Sequence, residues 1–440
     1  MTLASKAYLI LIFGFVLLVL SFVDNIVMSS SLDSIMERQS LFNHYVFVLL
    51  VAIGIVGQSL IFYLIRKKIS SFNTKTTGKS SFAFQALVIL SICVSASLFL
   101  YLIVLMAYQR AYYSDIFKSI VYSSYLFSSI NVGLLIIFLL TWYKRNHGIV
   151  MLLYVLAFSA YLINGIVGIV ILDIQLEGRS NKISFVTNPW DNSSLRVLSL
   201  TDFYKMTSIV SFTVAWLGTC LLLYHYSGKI GRSKFWFLVA LPLVYYLGNI
   251  DLIRSAIFSY IVSSSPYLLS ITQIVLGGAK QAGGFFFAIS FILISRNVDS
   301  QKLKYYLMST ATGMMLLFSS NQTSLVQIIP YPPFGLATVS LVSISSFLLL
   351  MGLYSLAYSM AYDRQLLENA RKIVNQKASR FLYDIGSAQW QKEIDKTIPA
   401  IMNSKSILAN EDNVPTSLTE EEVKDYLYEL SKEVEKIRDK

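Results

Sequence analysis

Ten apolar stretches recur along this chain, at roughly 7–28, 45–65, 82–107, 119–143, 148–172, 206–227, 235–262, 269–294, 303–328 and 335–362. A helix rises about 1.5 Å per residue and needs about 20 consecutive apolar residues to cross the hydrocarbon core of a bilayer, so each stretch is long enough to be a span. Of the 440 residues, 55% are hydrophobic and 14% charged, and a soluble fold has too little interior to hide that much apolar side chain. The expected fold is all-α: a polytopic transmembrane helix bundle of about ten spans over 1–362, with a cytoplasmic helical tail. Ala7 to Val23 is apolar but reads on without a small-residue cleavage pattern, which marks it as a retained first span.

The formal net charge of +11 is unevenly placed. Residues 1–362 hold 23 Lys and Arg against 10 Asp and Glu, whereas 363–440 hold 13 against 15. The basic excess therefore belongs to the loops between spans, and nucleic acid is not the expected partner. The loops at 66–81, 144–147, 228–234 and 295–304 together carry 13 Lys and Arg and one acid, whereas the alternate loops are near balance. By the positive-inside rule both termini face the cytoplasm, and the chain is a multi-pass protein of the cell membrane. Aromatic residues that gather near span ends, such as Tyr108, Tyr112, Tyr113, Trp142 and Tyr143, read as headgroup anchors.

Catalytic signatures are missing from the sequence. The cysteines, Cys93 and Cys220, lie within apolar runs and read as packing residues. His44, His147 and His225 stand near span ends, too scattered for a metal constellation. No Ser-His-Asp order, HExxH or phosphate-binding loop stands out, so neither enzymatic activity nor a cofactor nor a metal is expected.

The segment GGAKQAGG at 277–284 places a lysine among glycines inside the eighth stretch. Lys280 falls about 11 residues from the outer end, roughly 16 Å deep and near the midplane, where a charge is costly and needs protein, water and a partner around it. The seventh stretch offers Asp251 and Arg254, three residues apart on one helix face. An antiparallel hairpin turning between Ser265 and Pro266 puts Asp251 level with Lys280, and Arg254 level with Gly277. Two cations facing one carboxylate leave a positive charge over, which fits an anionic ligand or a lipid headgroup; a compensated ion pair that fixes helix register fits as well. Gly277, Gly278 and the small residues after them let a neighbouring backbone come close. Gln273 and Asn321 extend the candidate ligand or ion site outward, while Gln58, Asn131 and Asn164 read as packing residues.

The last span runs without a breaker into the tail, and Leu367, Ala370, Val374 and Phe381 keep helical spacing, predicting a juxtamembrane helix over 363–402 that leaves the bundle as a rigid rod and loosens at Gly386. A linker at 403–416 precedes an amphipathic helix at 417–440, in which Val423, Leu427, Leu430, Val434 and Ile437 alternate steps of four and three like a coiled-coil seam. That seam is the expected contact for a cytoplasmic protein partner or a second copy of the chain, beside the lipid bilayer itself. SMAYDRQLLENARK at 359–372, LYDIGSAQWQKEI at 382–394 and SLTEEEVKDYLYEL at 417–430 resemble the ends of uncharacterised archaeal multi-pass membrane proteins, distantly similar to the membrane sensor modules of histidine kinases. The resemblance implies membrane sensing by analogy and supplies no catalytic residue, and this tail has no histidine to accept a phosphoryl group. Three functions are open on the sequence: a membrane-embedded sensor or signal-transducing scaffold, a secondary transporter with a charged intramembrane site, and a structural subunit of a membrane complex.

Overall fold

The computed structural model describes residues 3–28, 41–72, 78–108, 114–180, 195–224, 227–248, 271–272, 275–298, 300–320, 336–362, 381–392 and 394–395. Among them no strand occurs. The helices are α1 (Leu3–Met28), α2 (Leu41–Phe72), α3 (Gly78–Tyr108), α4 (Ser114–Asn146), α5 (Ile149–Ser180), α6 (Leu195–Leu223), the single turn α7 (Ser227–Ile230), α8 (Arg232–Gly248), α9 (Ala279–Arg296), α10 (Gln301–Ser320), α11 (Leu336–Tyr362) and α12 (381–392). Six of them, α1, α2, α4, α5, α6 and α11, are long and apolar enough to cross a membrane.

Burial sorts these helices into a centre and a ring. The most apolar windows of α1, α2, α4, α5 and α6 are 44–50% buried, one face inward and one outward, whereas that of α11 is 94% buried. α10 is enclosed over nearly all its length, from Leu303 to Ser320. It packs against α11, α9 and α1, and α4 closes over α11 from the other side. A helix surrounded by protein need not look like lipid, and α10 and α11 are rich in serine and threonine where the ring helices present bare Leu, Ile, Val and Phe.

Close backbone approach holds the central pair together. A Cβ placed on Gly313 of α10 would come within 2.6 Å of the Leu349 nitrogen, and one on Gly352 of α11 within 2.7 Å of the Thr310 nitrogen. Gly284 of α9 faces the carbonyl of Met315 in the same manner. Without a hydrophobic force between helices in lipid, this contact density and interhelical hydrogen bonds supply the association. On α11 the bonds form a stripe at spacing three. Ser340 accepts from Gln58 Nε2 of α2 at 2.7 Å, Ser343 shares a 3.2 Å bond with Ser95 of α3, and Ser346 accepts from Asn131 Nδ2 of α4 at 3.3 Å.

At its start, α11 is held by α1. Asp24, fully buried, accepts from the Thr338 backbone nitrogen at 3.0 Å and from its hydroxyl at 2.8 Å, so a carboxylate from another helix meets the donor-rich first turn. The α4–α5 connection is two residues long: His147 takes a positive φ of 48° and returns its N–H to the Tyr143 carbonyl at 2.7 Å, which lets the chain reverse sharply.

Two sequence expectations change here. The eighth stretch reads as one span over 269–294, but a turn at Gly278 interrupts the helix, and α9 begins at Ala279. The Gly278 N–H bonds the Val275 carbonyl at 3.2 Å in a tightened turn, and the Tyr245 hydroxyl of α8 donates to that same carbonyl. A side chain inserted into the helical ladder beside glycine, the residue that gains least from staying helical, accounts for the interruption. The second change concerns the tail. Residues 381–392 are helical straight through Gly386, which is buried, and the helix packs into the bundle rather than standing off it as a rod.

Candidate functional site

Lys280 stands in the first turn of α9, just past the interruption, and is partly buried. It borders a partly open pocket lined by residues of α5, α6, α8, α9 and α10. One wall is aromatic. The Phe212 ring stacks on Tyr246 with centroids 3.8 Å apart and planes 5° from parallel, and Phe287 and Phe318, 4.6 Å apart, close around them. Gly283 makes the stack possible, because a Cβ there would occupy the Phe212 ring.

The opposite wall is polar. Tyr246 and Ser208 share a hydrogen bond of 2.9 Å between their hydroxyls. Asn164 donates to the Tyr204 carbonyl at 2.6 Å and to the Thr207 hydroxyl at 3.0 Å, which fixes its amide and ties α5 to α6. The Tyr161 hydroxyl, on a residue 5% exposed, lies beside the Ser128 hydroxyl of α4. Among the described residues, the lining sets the Lys280 side chain, several hydroxyls and the Asn164 amide beside the Phe212 and Phe318 rings.

Of the residues expected to form the ligand or ion site, Lys280 lines this cavity. Gly278 sits at the helix interruption, where the Phe22 ring (2.6 Å from a built Cβ) and the Tyr245 hydroxyl fill the space beside it, and Gly277 directly precedes it. Asp251, Arg254, Gln273 and Asn321 lie outside the described residues, as do Val423, Leu427, Leu430, Val434 and Ile437 of the tail. Close backbone approach occurs at Gly284 rather than at Gly278 or Gly283, which accommodate aromatic rings. Gln58 and Asn131 are packing residues as expected, each bonded to a serine of α11. Asn164 has a second role, since it also lines the cavity. Tyr161, Ser208 and Tyr246 escaped the sequence reading because single hydroxyls in apolar helices look alike until packing sets them side by side. Asp24 carried a visible signal, an acid inside the first apolar stretch.

At the far end of α9 and α5 a second cluster forms around α12. Trp142, read from sequence as a headgroup anchor, is fully buried instead and donates its indole N–H to Gln389 Oε1 at 3.0 Å. Asn146 donates to the Ser387 hydroxyl at 2.6 Å and to the Asp384 carbonyl. Arg145 pairs with Asp395 at 2.8 Å, and the Lys392 ammonium lies 5.0 Å from the Phe138 ring centroid. The Phe381 ring inserts between Tyr154 of α5 and Phe291 of α9, at 6.5 and 6.4 Å.

These features define a helical protein with segments long and apolar enough to cross a membrane, a partly polar pocket between helices and a helix over 381–392 docked at one end. No protein-family model, no curated protein and no solved structure matches the chain.

Proposed function

We propose that the protein is a ten-span integral membrane protein of the cell membrane, with both termini cytoplasmic, that works as a sensor or signal-transducing scaffold. The cavity beside Lys280 is the input, and the post-span helix with the tail behind it is the output. One observation carries this reading: α5 and α9 each touch both. On α9, Lys280 borders the cavity and Phe291, eleven residues and roughly 16 Å further along, contacts Phe381. On α5, Tyr161 borders the cavity and Tyr154, two turns away, contacts Phe381 from the other side. A shift of either helix at the cavity displaces the ring wedged between them, since close-packed interiors transmit strain. The charge asymmetry of the loops supports the orientation, and the tail's resemblance to sensor modules supports the direction of signalling by analogy.

Spin labels at exposed Ser233 and Gln391 read the position of α12 against α8. Lys280→Met in the full chain should shift their distance distribution, and adding Phe291→Ala should erase that shift; an unmoved distribution in Lys280→Met sinks the coupling. The interruption at Gly278 favours a second reading, a secondary transporter, because carriers place substrate where a membrane helix is broken. Net flux of a solute into reconstituted vesicles, lost in Lys280→Met, decides for the transporter.

A further inference from the structure

We infer that Arg232 and Lys234, at the start of α8, hold the headgroup of an anionic phospholipid whose acyl chains lie along the exposed apolar face of that helix. The site deepens the preceding reading and rests on it for which leaflet the lipid belongs to. The spacing of α8 is the first argument. Phe235, Val239 and Tyr246 turn one face inward, whereas Phe237 is 74% exposed, Leu241 58% and Trp236 49%, so the other face offers apolar surface to hydrocarbon. Arg232 precedes Trp236 by one turn and Lys234 precedes Leu238 by one turn, which puts both cations at the edge of that surface. An exposed indole beside cations is the pattern of the headgroup boundary.

Charge is the second. Both side chains are exposed, and among the described residues neither makes an ion pair. Tyr154 touches both Phe381 of α12 and Thr219 near the close of α6, and Tyr224 at that close packs on Phe235, so α8 starts at the end of the bundle where α12 docks. Arg296 at the close of α9, Lys302 at the start of α10 and Lys144 near the close of α4 are exposed at their helix ends, and among the described residues none of them pairs with an acid either. At the start of α6, by contrast, Lys205 has Asp202 3.8 Å away. Cations without a protein carboxylate call for a mobile anion, and a guanidinium matches the oxygens of a phosphate in two parallel bonds. A free phosphate would use the cations alone. A phospholipid uses the cations and the apolar face together, and the anionic inner leaflet supplies it.

The test uses the full chain in micelles that hold phosphatidylglycerol and phosphatidylcholine in equal amounts, with native mass spectrometry counting the lipids retained. Phosphatidylglycerol should be kept in preference to phosphatidylcholine. Arg232→Gln and Lys234→Gln should each lower that relative affinity about fivefold, the contribution of one cation facing an anionic surface. Both positions are exposed, so the unfolding midpoints should match that of the unmodified chain. Lys144→Gln, at the close of α4, should leave the preference in place and so localise the site to α8. Equal retention of the two lipids by the unmodified chain, or an unchanged preference in both α8 variants, overturns the assignment. Loss of the preference on adding inorganic phosphate would give the cations to a soluble anion instead. A preference that appears only when Glu420→Gln, Glu421→Gln and Glu422→Gln are combined would give the surface to the chain's own acidic tail. Orientation is read separately, from a cysteine placed at exposed Ser233 in a chain otherwise free of cysteine: labelling by an impermeant maleimide outside intact cells would overturn the cytoplasmic placement and leave the lipid site standing.

Discussion

At the scale of single residues, buried polar groups in this bundle act as joints between helices. Asp24 is the clearest, because its carboxylate spans 314 positions of sequence to meet the start of α11. Asp24→Ala removes two donor-to-carboxylate bonds and a favourable charge at a helix N-terminus, so a loss of about 1–3 kcal/mol is expected in equilibrium unfolding in detergent. A midpoint equal to that of the unmodified chain would show that the cap contributes nothing. Ser343→Ala breaks one bond of the serine stripe; hydrogen bonds between membrane helices average about 0.6 kcal/mol, so its effect should fall well short of Asp24→Ala in the same assay. An acid in the first apolar stretch and serines at spacing three in the last are visible in the sequence only once the structure points to them. Their partners are not visible there at all, since each sits on a helix more than two hundred residues away.

At the scale of elements, glycine decides where helices touch. Gly352→Val places a branched side chain against the Thr310 backbone, which cannot withdraw without separating α10 from α11. Overpacking of this kind costs about 1–3 kcal/mol, and a lowered unfolding midpoint together with preserved helicity by circular dichroism is the expected result. α12 is a different case, held by specific bonds at its flank. Trp142→Phe leaves the Gln389 carbonyl buried without its donor, a cost of about 1–3 kcal/mol, so amide exchange over 381–392 should accelerate while exchange in α10 stays slow. Equal protection in both proteins would argue that apolar contact at Phe381 alone docks the helix. Hydrophobicity located the described helices of the bundle, while Leu367, Ala370 and Val374, whose spacing predicted the helix after the last stretch, lie outside the described residues. The interruption at Gly278 was not readable, because two adjacent glycines are compatible with a continuous helix until a tyrosine from α8 claims the Val275 carbonyl.

For the molecule as a whole, architecture and surface charge contribute differently. The Arg145–Asp395 pair, with side chains 25% and 46% exposed, is a surface bridge, and such pairs are worth about 0–1 kcal/mol. Asp395→Asn should leave the unfolding midpoint almost unchanged at physiological salt, and a large drop would mean that the pair does more than its exposure allows. Burial is deepest instead at α10 and α11, against which α1, α4 and α9 pack, while α5 and α6 pack chiefly on each other.

The sequence by itself determined that the chain is helical and bound for a membrane, because the length and apolarity of a segment fix whether it can cross a bilayer whatever its neighbours. It also singled out Lys280, since a charge within an apolar stretch stands out in any arrangement. Only the tertiary structure decided which helices lie at the centre, that α12 folds into the bundle and that scattered tyrosines, serines and an asparagine gather into one cavity. Those outcomes depend on which faces meet, and composition and helical period leave the choice of partner face open until every helix is packed at once.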